Sequence, residues 1–169
     1  MLCNRTARRA AIAICLLIAS TVSTHYESNA FSASNIDWIK SSENWWGVSI
    51  EDFPSAAGLG PGEYQQGDHP IGAGLKVIAP VDNVTASWEP TVLRPSFFKF
   101  APKEGLVEIL GFYKGKKDDV VSFLTKRYGK HSKELAALGF VTYVWVFKKT
   151  ALEVSDISYT VFPADKMRQ

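Results

Sequence analysis

Cysteine is nearly absent from this chain, and where it occurs decides much. The two cysteines are Cys3 and Cys15, and both fall in an N-terminal stretch that reads as an export leader. Once that leader is gone no thiol remains. Disulfide stapling, thiol catalysis and cysteine-held metal are then excluded for the mature chain. Histidine is scarce too: beyond the leader there are only His69 and His131. The sequence has no phosphate-cradling G-x-x-x-x-G-K-[ST] run and no G-x-S-x-G nucleophile elbow. Crossing a bilayer takes about 20 apolar residues, and the uncharged run at 10–19 is half that. Excess charge is missing as well. Lys and Arg total 19 against 17 Asp and Glu, and the leader holds Arg5, Arg8 and Arg9 against Glu27. Residues 31–169 are therefore balanced, which gives no electrostatic footprint for nucleic acid or a charged membrane surface.

The leader itself is well formed. A basic start is followed by the apolar run at 10–19, then by a polar stretch ending in Ser28, Asn29 and Ala30 ahead of Phe31. That order is the pattern of a secretory signal peptide. It predicts cleavage after Ala30, with a competing site near Ser23, and a periplasmic or extracellular protein with no stable membrane span. Residues 31–169 are then a single α+β domain of ordinary size.

Two halves differ in texture. Residues 31–90 are loop-rich, whereas 91–163 are dense in alternating apolar positions. In the second half, 97–100 and 106–113 read as strands joined by the Pro-Lys-Glu-Gly turn at 102–105. Over 116–128 the period becomes helical: Val120, Phe123, Leu124, Arg127 and Tyr128 share a face. Asp118 and Asp119 suit the helix start, Lys126 and Arg127 its end, and Gly129 its stop. Residues 132–138 read as a short second helix. The run 141–148 predicts a central strand, apolar on both faces, and 152–162 a closing strand. The expected order is strand-strand-helix-strand-strand: an antiparallel sheet with one main helix packed on one face. In the first half, 44–50 and 74–79 read as strands, and 36–40 as a helical turn or an edge strand. The Gly- and Pro-rich stretch 56–74 reads as a long loop, uncommon at this length, and so either a binding element or a disordered surface flap.

Aromatics are the surplus. Trp38, Trp45, Trp46, Trp88 and Trp145 all lie beyond the leader. Rings of this size build a core without disulfides, the role expected for Trp145, Phe123 and Phe147. Two adjacent tryptophans on one strand cannot both point inward, so one of Trp45 and Trp46 is expected outside, beside the long loop. This predicts a binding or inhibitor-like module without catalytic activity. Trp45, Trp46, Tyr64, Asp68, His69 and Trp88 are its contact residues, and the partner is a protein, peptide or glycan. No metal or cofactor is implied. Two alternatives use other residues: a small hydrolase built on Asp68, His69 and Glu51, and a carrier holding an apolar ligand among Phe97, Phe98 and Phe112. His131, after the helix stop, is expected to be solvated.

Overall fold

A computed structural model describes residues 37–70, 74–137 and 140–167. The expected leader and its cleavage sites lie outside them. The described chain is dominated by one eight-stranded antiparallel sheet. Its strands are β1 (Tyr64–Asp68), β2 (Lys76–Pro80), β3 (Phe97–Ala101), β4 (Gly105–Phe112), β5 (Lys133–Ala137), β6 (Phe140–Val146), β7 (Thr150–Val154) and β8 (Ser158–Pro163). Their spatial order is β1-β2-β3-β4-β8-β7-β6-β5. Two four-stranded meanders thus meet along the β4–β8 ladder, each contributing its last strand to the joint. The helices are short: α1 (Trp38–Ser41), α2 (Phe53–Ala56) and the twelve-residue α3 (Lys117–Tyr128), which links the two meanders.

Register explains which side chains are inside. Ile78 lies opposite Phe98, Phe98 opposite Ile109, Ile109 opposite Val161, Val161 opposite Leu152, and Leu152 opposite Trp145. This row crosses six strands on one face, and every member is buried. Because side chains alternate along a strand, the neighbours of this row point the other way. The opposite row runs Phe97, Leu110, Thr160, Glu153, Val144, Lys133. We call the first face inner and the second outer.

The N-terminal segment feeds the core from short helical turns. Asp37 caps α1, its carboxylate accepting the Lys40 N–H at 3.3 Å. α1 supplies Trp38 and Ile39, and α2, with proline in its first turn, supplies Phe53. Val120 and Leu124 of α3 belong to the same buried cluster. The acidic first turn, basic last turn and left-handed Gly129 (φ 85°) of α3 are as the sequence implies. Asp37 also ties α3 to the start of the described chain: it accepts the Tyr128 hydroxyl at 2.9 Å and pairs with Arg127 at 3.4 Å.

Several expectations are corrected. Residues 44–50 form no strand; a 3-10 turn over Ser42–Asn44 leads into a turn at Gly47 (φ 81°). The 56–74 stretch contains β1, paired residue by residue with β2. Residues 133–137 are a strand, not a helix, and 152–162 holds parts of two strands, β7 and β8, around a turn. The closing meander therefore has four strands where two were expected. β6 lies next to the edge strand β5, not at the sheet centre. Phe123 is exposed, Phe147 is half-buried against the Tyr128 ring, and Trp145 is in the core as expected. His131 is not solvated: its side chain is 17% exposed and its ring meets Tyr143 and Trp145 edge-on.

Candidate binding face

The expected tryptophan patch is inside the protein. Trp45 and Trp88 are both buried. The Trp45 ring meets Phe53 and Phe98 edge-on at 5.7 and 6.2 Å and lies 5.8 Å from Trp88. These residues form an aromatic cluster over the first meander, and neither indole is a surface contact. Trp46 is half-buried, and its indole N–H donates to Thr150 Oγ1 at 2.9 Å. Thr150 Oγ1 lies 3.2 Å from Ser42 Oγ, whose hydroxyl donates to the Ile39 carbonyl. Neither tryptophan of the pair is therefore the outside residue expected: Trp45 is buried, Trp46 packs half-buried against the core, and both lie in one turn where strand alternation does not apply.

Tyr64 is half-buried at the start of edge strand β1, opposite Pro80, and packs against the core. Asp68 ends that strand and forms an ion pair with Lys76 across the ladder. The His69 backbone N–H donates to the Leu75 carbonyl at 2.9 Å, continuing the pairing by one residue. Glu51 is exposed and borders a cleft of about 370 Å³ that Lys76, the partner of Asp68, also lines. Among the described residues, no group of three His, Cys, Asp or Glu side chains could hold a metal ion. No described helix is long and apolar enough to cross a membrane.

The carrier arrangement does not assemble either. Phe98 is buried on the inner face, while Phe97 and Phe112 are 40% and 54% exposed on the outer face. Three rings divided between two faces of a sheet cannot line one cavity.

The outer face carries the exposed apolar surface instead. Phe97, Phe112, Leu135, Phe140 and Val146 all point to it and are all exposed, Phe140 at 63%. Phe97 faces Leu110 on β4, which sets Phe112 two residues further along the same face, a diagonal neighbour. Both rings border a cleft of about 630 Å³ at that end of the sheet. Pro80, Thr91 and Pro95 shape its walls, and Arg94, Lys114 and Asp82 bring charge to it. The Ser96 N–H donates to the Leu110 carbonyl at 3.0 Å, which holds the Arg94 segment against β4. A second trough of about 510 Å³ is bounded by Glu108, Leu135, Glu153 and Phe162 among others. Lys99 and Glu108, directly opposite on β3 and β4, pair at 3.3 Å on the same face.

The signal for this face was present in the sequence. The Phe-Phe-Lys-Phe run puts Phe98 and Phe100 on one side and Phe97 with Lys99 on the other. A charged residue sharing Phe97's side marks the side turned to water. Arg94 and Lys114 carried no such signal, since only folding brings them to one cleft. Among known proteins, the chain matches no family model, no curated protein and no solved structure.

Proposed function

We propose that this chain is a binding module without catalytic activity that takes a peptide segment of a partner protein on its outer sheet face. The single observation behind it is the cluster of Phe97 and Phe112 at the 630 Å³ cleft, on the face that also exposes Leu135 and Phe140. Exposed apolar rings set beside one another, as Phe97 and Phe112 are, are costly to keep in water, and they mark recognition surfaces when polar groups border them. Aromatic rings seated in a cleft are the usual anchors of such surfaces. The export leader puts the partner in the periplasm or outside the cell. We also read α3 as lying across the inner face, from the burial of Val120 and Leu124. That arrangement leaves the outer face for recognition.

Site-specific photocrosslinking in the native host tests the reading. A benzophenone side chain at Phe112 or Phe140 is expected to give a discrete adduct with one partner. The same group at Phe123, exposed on α3, is expected to give none. Adducts of equal yield from all three positions would refute a dedicated face.

A further inference from the structure

The charge around the cleft indicates which peptide it takes; this inference rests on the binding reading above. Arg94 and Lys114 border the cleft with both phenylalanine rings, and neither enters an ion pair among the described residues. Of the cations on the strands, Lys76 pairs with Asp68 and Lys99 with Glu108, while Lys133 at the far edge, on β5, enters no ion pair among the described residues. Among the described residues the one acid lining the cleft is Asp82, also in no ion pair, so two cations face one carboxylate and the cleft keeps a positive surplus. A guanidinium offers a carboxylate two parallel N–H donors, and an ammonium adds a point charge. Ring surface next to those donors excludes water, which strengthens the attraction, and it accepts an apolar side chain at the same time. We propose that the cleft binds an acidic peptide segment in which aromatic or aliphatic residues stand beside Asp or Glu. The carboxylates meet Arg94 and Lys114, and the apolar residue packs on Phe97 and Phe112.

The test uses the full chain and two fluorescein-labelled short peptides. One alternates Glu and Asp with Phe and Leu; the other carries Lys at every acidic position. Fluorescence anisotropy is expected to show the acidic peptide bound and the basic one not, with affinity falling as salt rises from about 50 to about 300 mM. The double variant Arg94→Glu/Lys114→Glu is expected to lose at least about tenfold in affinity for the acidic peptide and to gain affinity for the basic one. Both residues are exposed, so the variant keeps its fold, checked by circular dichroism. Phe112→Ser is expected to abolish binding of the acidic peptide. Equal affinity for both peptides, lost in Phe112→Ser but unmoved by charge reversal, would overturn the acidic assignment and leave the binding face standing. Binding indifferent to both changes, or no binding of the acidic peptide, would overturn this inference. In that case, a randomised peptide library that also yields no binder dependent on Phe112 would overturn the binding face as well.

Discussion

The phenol ring of Tyr159 occupies the space where Gly111 has no side chain. The two residues are directly paired on β4 and β8, at the joint between the two meanders. A Cβ built on Gly111 would overlap the Tyr159 hydroxyl oxygen and the ring carbon bearing it, and would come within 2.7 Å of the Arg94 carbonyl oxygen. Glycine is required here by close approach and not by backbone angle. Tyr159 is buried against Trp38, ring centres 5.9 Å apart, and the Trp38 indole N–H donates to the Leu93 carbonyl. Gly111→Ala is therefore expected to destabilise the protein by at least about 2 kcal/mol in urea unfolding. Adding Tyr159→Leu should recover part of that loss, a positive coupling in the double-mutant cycle.

Removing the Tyr159 hydroxyl alone should do the opposite. Among the described residues that oxygen is buried with no hydrogen-bond partner. A buried hydroxyl without a partner costs its desolvation, and deleting it removes that cost. Tyr159→Phe is expected to leave stability unchanged or to raise it by up to about 1 kcal/mol. A loss larger than that in thermal unfolding would mean the hydroxyl is satisfied in solution.

Stability should fall on the alkaline side. Burial pushes the ionisation of Tyr159 and Tyr128 well above the usual tyrosine value of 10.0, and that of Tyr113 upward as well. For Tyr128 the Asp37 carboxylate beside it adds to the effect. The unfolded chain releases these protons near pH 10 while the native state keeps them, so the native state binds more protons above that pH. Stability is full below pH 10 and is lost as pH rises above it. The Lys117 ammonium, hydrogen-bonded to Asp156 and shifted up from 10.5, acts in the same direction. Urea midpoints measured between pH 8 and 11 should be flat, then fall above about pH 10. Tyrosinate absorbance from the buried rings should appear only with unfolding.

Thr150 holds the Trp46 platform. Its hydroxyl is buried, accepts the indole N–H and sits in the chain that reaches Ser42. Thr150→Val keeps the shape but leaves the indole donor unsatisfied, at an expected cost of about 1–3 kcal/mol. Thr150→Ser should retain most of the stability in the same chemical denaturation assay.

Phenylalanines on the two faces of the sheet should respond very differently. Phe98→Ala empties the inner face and is expected to cost about 3–5 kcal/mol. Phe112→Ser, on the exposed outer face, should cost less than about 1 kcal/mol while removing partner binding. Comparable losses of stability at both positions would contradict the assignment of faces.

What could be read from the chain, and what could not, follows one division. The strand pair β3–β4 and helix α3 were legible because their signals are local: two short apolar, aromatic-rich runs, a Gly-containing turn between them, and charges matched to the helix dipole. Residues 133–137, Lys-Glu-Leu-Ala-Ala, are good helix formers, yet each pairs with a residue of β6. Ladder bonds to a neighbouring strand outweigh a preference worth only tenths of a kcal/mol per residue. The β7–β8 turn was hidden because it uses no glycine or proline. Ser155 closes it by donating, through both its N–H and its hydroxyl, to the Ser158 carbonyl. Trp45 and Trp88 misled because a surplus of rings does not say which face they take.

Composition and periodicity by themselves determined a β-rich chain with no cysteine beyond its predicted leader, with one main helix between aromatic strands. Those properties are written in neighbouring residues, where period and capping act. Tertiary structure alone decided that two meanders join through β4 and β8, that the tryptophans turn inward, and that Arg94, Phe97, Phe112 and Lys114 meet at one cleft. A strand's face is set by the register of its partners, and that register depends on residues far away in sequence.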